Sequence, residues 1–94
     1  MPIYAVTYGY HAGSDAARDQ ARPTHRAFLA EQDELLLSGP TDEGALLIFE
    51  AKSAAELEEL LDEDPFWTHD LVAERMIVEW KPATGPWREQ LGLD

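Results

Sequence analysis

Leu35-Leu36-Leu37-Ser38-Gly39-Pro40-Thr41-Asp42-Glu43-Gly44-Ala45-Leu46-Leu47-Ile48-Phe49-Glu50 stands at the middle of a 94-residue chain, and its reading decides how the rest is arranged. Both ends are apolar runs too short for helices, and the residues between them carry Gly-Pro and Asp-Glu-Gly turn chemistry. The segment predicts strands over 35–38 and 45–50, closed into an antiparallel hairpin. A two-stranded hairpin is marginal alone, so further strands should flank it in sequence.

They do. On the N-terminal side, residues 3–10 (Ile-Tyr-Ala-Val-Thr-Tyr-Gly-Tyr) are rich in β-branched and aromatic types and predict a strand. His11-Ala12-Gly13-Ser14-Asp15 follows, with turn chemistry and a helix cap within it. A helical stretch then covers 15–34, with Ala17, Ala21, Phe28 and Leu29 on one side. Pro23 interrupts it, so a kink or a second helix start is expected near Arg22. On the C-terminal side, Ser53 and Glu56 have capping-box spacing, and Leu57, Leu60 and Leu61 form the apolar stripe of a second helix. Asp64-Pro65 stops that helix, because proline disfavours helical geometry in the residue before it. Residues 65–69 predict a short helical turn. Residues 72–81 predict a last strand, with Met76, Val78 and Trp80 on one face and Ile77 on the other. The tail, 82–94, adds a short helix around Trp87 to Leu91.

The order β-α-β-β-α-β is the split βαβ arrangement, an α+β fold of ferredoxin-like topology. It implies one domain over 1–94, with a core at 3–81: a four-stranded antiparallel sheet with two helices on one face. The other face should be polar if it meets water. The first and last strands, however, carry apolar groups on both faces. Without cysteine, so short a chain gains nothing from disulfides or thiolate-bound zinc. A homodimer in which two sheets pack face to face, a dimeric α+β barrel, is therefore expected.

Nineteen acids against seven bases leave a net charge of −12. Affinity for nucleic acid comes from Lys and Arg displacing counterions, so neither nucleic acid nor an anionic membrane surface is an expected partner. No apolar run approaches the roughly 20 residues of a bilayer span. Met1-Pro2-Ile3-Tyr4 has no basic start leading into an apolar stretch, and the expectation is a cytoplasmic protein.

His25 lies three residues before Phe28 and four before Leu29, so on a helix it points toward the sheet. An ionisable group there needs a partner. Asp64, at the end of the second helix, is placed to supply one. A carboxylate bonded to one ring nitrogen would set the tautomer and leave the other nitrogen as a general base or acid. Read from residues alone, the alternative stays open that His25 is a satisfied core histidine and Asp64 caps a turn. Arg22, one turn before His25, either grips an anionic substrate by its forked donors or pairs with a surface acid. Ser38 ends a strand near the same place and would orient substrate or serve the turn. Tyr8 and Tyr10 either line a pocket or pack. The spacings of His11, His25 and His69 give no metal motif, and there is no Gly-rich phosphate loop.

Arg22-Pro23-Thr24-His25, Phe28-Leu29, Ser38-Gly39-Pro40, Gly44 and Asp64-Pro65-Phe66 together resemble the pattern of the YciI (YCII-related) family, in order, from about residue 3 to residue 81. The resemblance implies a His25–Asp64 active-site dyad and a dimer of ferredoxin-like subunits similar to muconolactone isomerase. Most members have no assigned reaction, and one branch resembles dehydrochlorinases of chlorinated hydroxyquinols. Pro23, the acidic residues 31–34 and the Trp-containing tail depart from the pattern and leave the substrate class open. The first expectation is a cofactor-free lyase or isomerase acting on a small cyclic or aromatic organic acid. On this reading His25 and Asp64 are catalytic, and Arg22, Ser38 and Tyr8 bind substrate. The second is a non-catalytic domain that holds a small molecule or serves as an accessory subunit.

Overall fold

The structure is a computed structural model that describes residues 1–93. Its elements are β1 (Ile3–Tyr10), α1 (Asp15–Ala30), β2 (Leu35–Pro40), β3 (Gly44–Glu50), α2 (Ala54–Leu61), α3 (Pro65–Thr68) and β4 (Val72–Trp80), then a 3-10 turn at Pro86–Arg88. The strands form one antiparallel sheet in the order β2-β3-β1-β4, the ferredoxin-like arrangement.

Strand alternation sorts the side chains between two faces. Tyr4, Val6 and Tyr8 of β1, with their partners Phe49, Leu47 and Ala45 of β3, lie under the helices. Leu57, Leu61, Phe66, Leu71 and Val72 complete that core. Ala5 and Thr7, Leu46 and Ile48, and Met76, Val78 and Trp80 share the opposite face. There Leu46, Met76, Val78 and Trp80 are exposed, Met76 by 60%.

Five expectations need correcting. The first helix ends at Ala30 rather than at residue 34, and it runs unbroken through Pro23. Pro23 is exposed, and the carbonyl its missing amide would have served belongs to exposed Asp19, where water can satisfy it. Ala17, assigned to the buried side, is exposed. Strand β2 continues through Gly39-Pro40, which was expected to be the turn; β2 is an edge strand, where proline interrupts no ladder. The tail forms a 3-10 turn in place of a helix over 87–91 and lies against the open sheet face beside Leu37, Leu46, Ile48 and Trp80. Ser53, by contrast, caps α2 as its spacing predicts, accepting a 3.1 Å hydrogen bond from the Glu56 amide. Among the described residues, no helix is long and apolar enough to cross a membrane.

Candidate active site

The tripeptide Asp64-Pro65-Phe66 builds the floor of the site. Proline at the first helical position starts α3, and Asp64 caps it, its Oδ1 accepting a 3.0 Å hydrogen bond from the Phe66 amide. The turn thereby aims the carboxylate inward, where it is 0% exposed. A buried carboxylate needs every lone pair served. Oδ2 accepts the Tyr8 hydroxyl at 2.8 Å, and Oδ1 lies 2.7 Å from His25 Nδ1. With both oxygens already accepting, Nδ1 carries the proton in that last contact. In the neutral ring that leaves the lone pair on Nε2, which has no protein partner among the described residues.

His25 is the one side chain that α1 buries. Its ring stacks on Phe66, with centroids 3.9 Å apart and planes 2° from parallel. Orientation is therefore fixed twice, by a carboxylate at one edge and by an aromatic face. The imidazole forms part of the wall of a cavity of about 330 Å³ between α1 and the β2–β3 hairpin. Ser38, Pro40, Ala45 and Leu47 line the sheet side, while Arg18, Arg22, Arg26 and Leu29 line the helix side.

Ser38 reaches this wall because of a bulge. Leu35 pairs with Phe49, but Leu37 pairs with Ile48, so Leu36 is an extra residue in β2. The one-residue shift pairs Ser38 with Leu47 on the helix side; without it, Ser38 would sit on the open face.

Tyr8, expected to touch substrate, instead lies beneath the cavity, 3% exposed, with its hydroxyl committed to Asp64. Burial pushes that hydroxyl far above the usual tyrosine range, and the negative charge of Asp64 adds to the effect. Arg75, paired with Tyr8 across β1 and β4, opposes it weakly. Its guanidinium stacks 3.7 Å over Trp67 and bonds Asp62 at 2.7 Å. Tyr10 takes the lining role, edge-on to Phe66 and covered by Arg18 at 4.2 Å. Burial raises the Tyr10 hydroxyl, and Arg18 pulls it back. Arg22 lines the cavity while bonding Asp19. Arg18 and Arg26 were missed in sequence, although their spacing of four on either side of Arg22 was a visible signal. Among the described residues, no three His, Asp or Glu side chains converge to hold a metal ion.

The sequence profile of the YCII-related domain matches residues 3–81, most of the chain. The chain belongs to the YCII-related domain family. This YCII-related chain is similar in structure to a 5-chloro-2-hydroxyhydroquinone dehydrochlorinase (TftG) from Burkholderia phenoliruptrix AC1100, solved in complex with 2,5-dihydroxybenzoquinone. The TM-score is 0.80 at 26% identity, covering 86% of this chain and 95% of that one. It also shares its fold with protein Atu4242 from Agrobacterium tumefaciens, with a TM-score of 0.57 at 20% identity over 88% of this chain and 94% of the other. An uncharacterised NIPSNAP domain protein from Burkholderia xenovorans gives 0.54 at 17% identity, over 88% and 95%. No curated protein sequence matches the YCII-related chain significantly.

Proposed function

We propose that this YCII-related protein is a small enzyme that moves protons on a cyclic or aromatic organic acid, with His25 as the base and Asp64 orienting it. The observation that carries this reading is the 2.7 Å His25–Asp64 contact at the wall of a cavity large enough for one substituted ring. Nε2 takes a proton from a ring hydroxyl. The freed electron pair enters the ring and the proton is delivered to a ring carbon, which relocates a double bond; where that carbon carries a leaving group, Nε2 then takes a second hydroxyl proton as the group departs with its bonding pair. The net change is isomerisation or loss of HX, without an oxidant or reductant, and the reading invokes no cofactor. Ser38 and Arg22 orient the substrate, and two chains act as a homodimer with the open sheet faces together. The likeness to a dehydrochlorinase supports loss of HCl as the first reaction to test.

The experiment follows chloride release from 5-chloro-2-hydroxyhydroquinone, together with solvent deuterium uptake into hydroxylated aromatic acids. Positioned general bases contribute roughly 10²- to 10⁴-fold, so His25→Gln should slow turnover by that order, and Asp64→Asn should approach it. Equal rates for wild type and His25→Gln would end the proposal. A second reading, a non-catalytic binding or accessory domain, draws on an apolar cleft of about 600 Å³ between the tail and the open sheet face. Ligands that bind there and are never turned over would favour it.

A further inference from the structure

Three of the seven basic residues of this chain, Arg18, Arg22 and Arg26, recur at every fourth position of α1 and line one cavity. At about 1.5 Å of rise per residue they span roughly 12 Å along the helix. In a chain with 19 acids this is a local reversal of sign, and no acid is among the residues lining the cavity.

The three guanidiniums are not equivalent. Arg18 bonds Asp15, donates from Nε to the Ser14 hydroxyl at 3.0 Å and covers the Tyr10 ring. Arg22 bonds Asp19. Each is balanced by the carboxylate three residues before it. Arg26 has neither a carboxylate partner nor a hydrogen bond among the described residues, and it directly follows His25. Three positive charges against two paired negative ones leave one uncompensated, on Arg26. Away from the arginines the wall is mostly apolar, formed by Pro40, Ala45, Leu47 and Phe66 with Ser38 among them. The cavity thus combines a largely apolar wall with a cationic rim of net charge one.

We propose that this cavity selects planar ring compounds carrying a single negative charge, a carboxylate or a phenolate, and that Arg26 sets the preference while Arg22 supports it. The proposal rests on the cavity beside His25 being the substrate site. It adds the substrate's charge and the residue that reads it. The guanidinium fork of Arg26 fits two oxygens of a carboxylate in one plane. Because Arg26 is exposed, its hold is weakened by salt.

Binding of benzoate, 4-hydroxybenzoate and neutral benzamide, which has the shape of benzoate, is measured by calorimetry at low and at raised ionic strength. Wild type should prefer the anions at least tenfold over benzamide, and the preference should shrink in salt. Arg26→Gln should lose most of the preference and leave benzamide unchanged, Arg22→Gln should lose a smaller part, and Arg88→Gln in the tail should lose none. Equal binding of benzoate and benzamide by wild type, or failure of both anions to bind at millimolar concentration, overturns the substrate class. A preference that survives in Arg26→Gln overturns its assigned role. His25→Gln separates the two readings: it should keep the anion preference while turnover falls, so failure of the proton-transfer chemistry leaves the charge result standing.

Discussion

Tyr8 holds Asp64 from the side away from the cavity, and the cost of removing it can be worked out. Tyr8→Phe preserves the packing of the ring but deprives a fully buried carboxylate oxygen of its donor. Hydrogen bonds to charged groups contribute about 1.5–3 kcal/mol, so denaturant unfolding should report a loss of that size. The pH dependence has a definite sign. The folded state raises the Tyr8 hydroxyl above its ordinary value of 10.0, so above that pH the unfolded chain releases a proton that the folded chain retains. Unfolding is then favoured as pH rises, and stability falls on the alkaline side. Tyr8→Phe should flatten that fall, leaving the smaller share due to Tyr10; an identical alkaline slope in wild type and variant would refute the assignment. Asp64 both caps a turn and bonds His25, through different lone pairs of one carboxylate.

At the scale of elements, two irregularities in the sheet aim the side chains. The extra residue Leu36 turns Ser38 toward the cavity, and a register shift beside Gly9 and Tyr10 brings Val72 under the helices where strict alternation would place Ala73. Neither is visible in a periodicity of two. Gly44 belongs to the same level. A Cβ there would stand 1.6 Å from the Tyr8 carbonyl oxygen, a backbone atom held on both sides by the sheet. Gly44→Ala must therefore push β3 off β1 at the residue that supports Asp64. Overpacking costs typically about 1–3 kcal/mol, and a backbone clash belongs at or beyond the upper end. Gly39, where a Cβ meets open space, is the control: Gly39→Ala should leave the melting temperature nearly unchanged while Gly44→Ala lowers it sharply.

At the scale of the molecule, the open sheet face sets the expected assembly. Leu46, Met76, Val78 and Trp80 form an exposed apolar surface on a chain otherwise rich in acids. A second copy offers the same surface, and two such faces exclude water from each other. Each copy brings a charge of −12, so repulsion opposes the apolar attraction and salt should strengthen association. Light scattering at micromolar concentration should report twice the chain mass, and Val78→Glu should return the monomer. Wild-type monomer at every salt concentration would contradict the paired faces.

The order of strands and helices was legible because each element is short, amphipathic and punctuated by Gly, Pro or a capping Ser, signals that act within a few residues. The inward direction of His25 was equally local, following from its spacing to Phe28 and Leu29 on one helix. The partnership of residues 25 and 64 was an inference from packing order and family pattern, because nothing local links side chains 39 positions apart. What only the tertiary structure decided is which side chains turn into the cavity. One inserted residue sends Ser38 in, while Tyr8 and Tyr10, two positions apart on one strand, divide between supporting the carboxylate and lining the wall. Register and depth depend on every neighbour at once, and a periodic pattern carries information about neither.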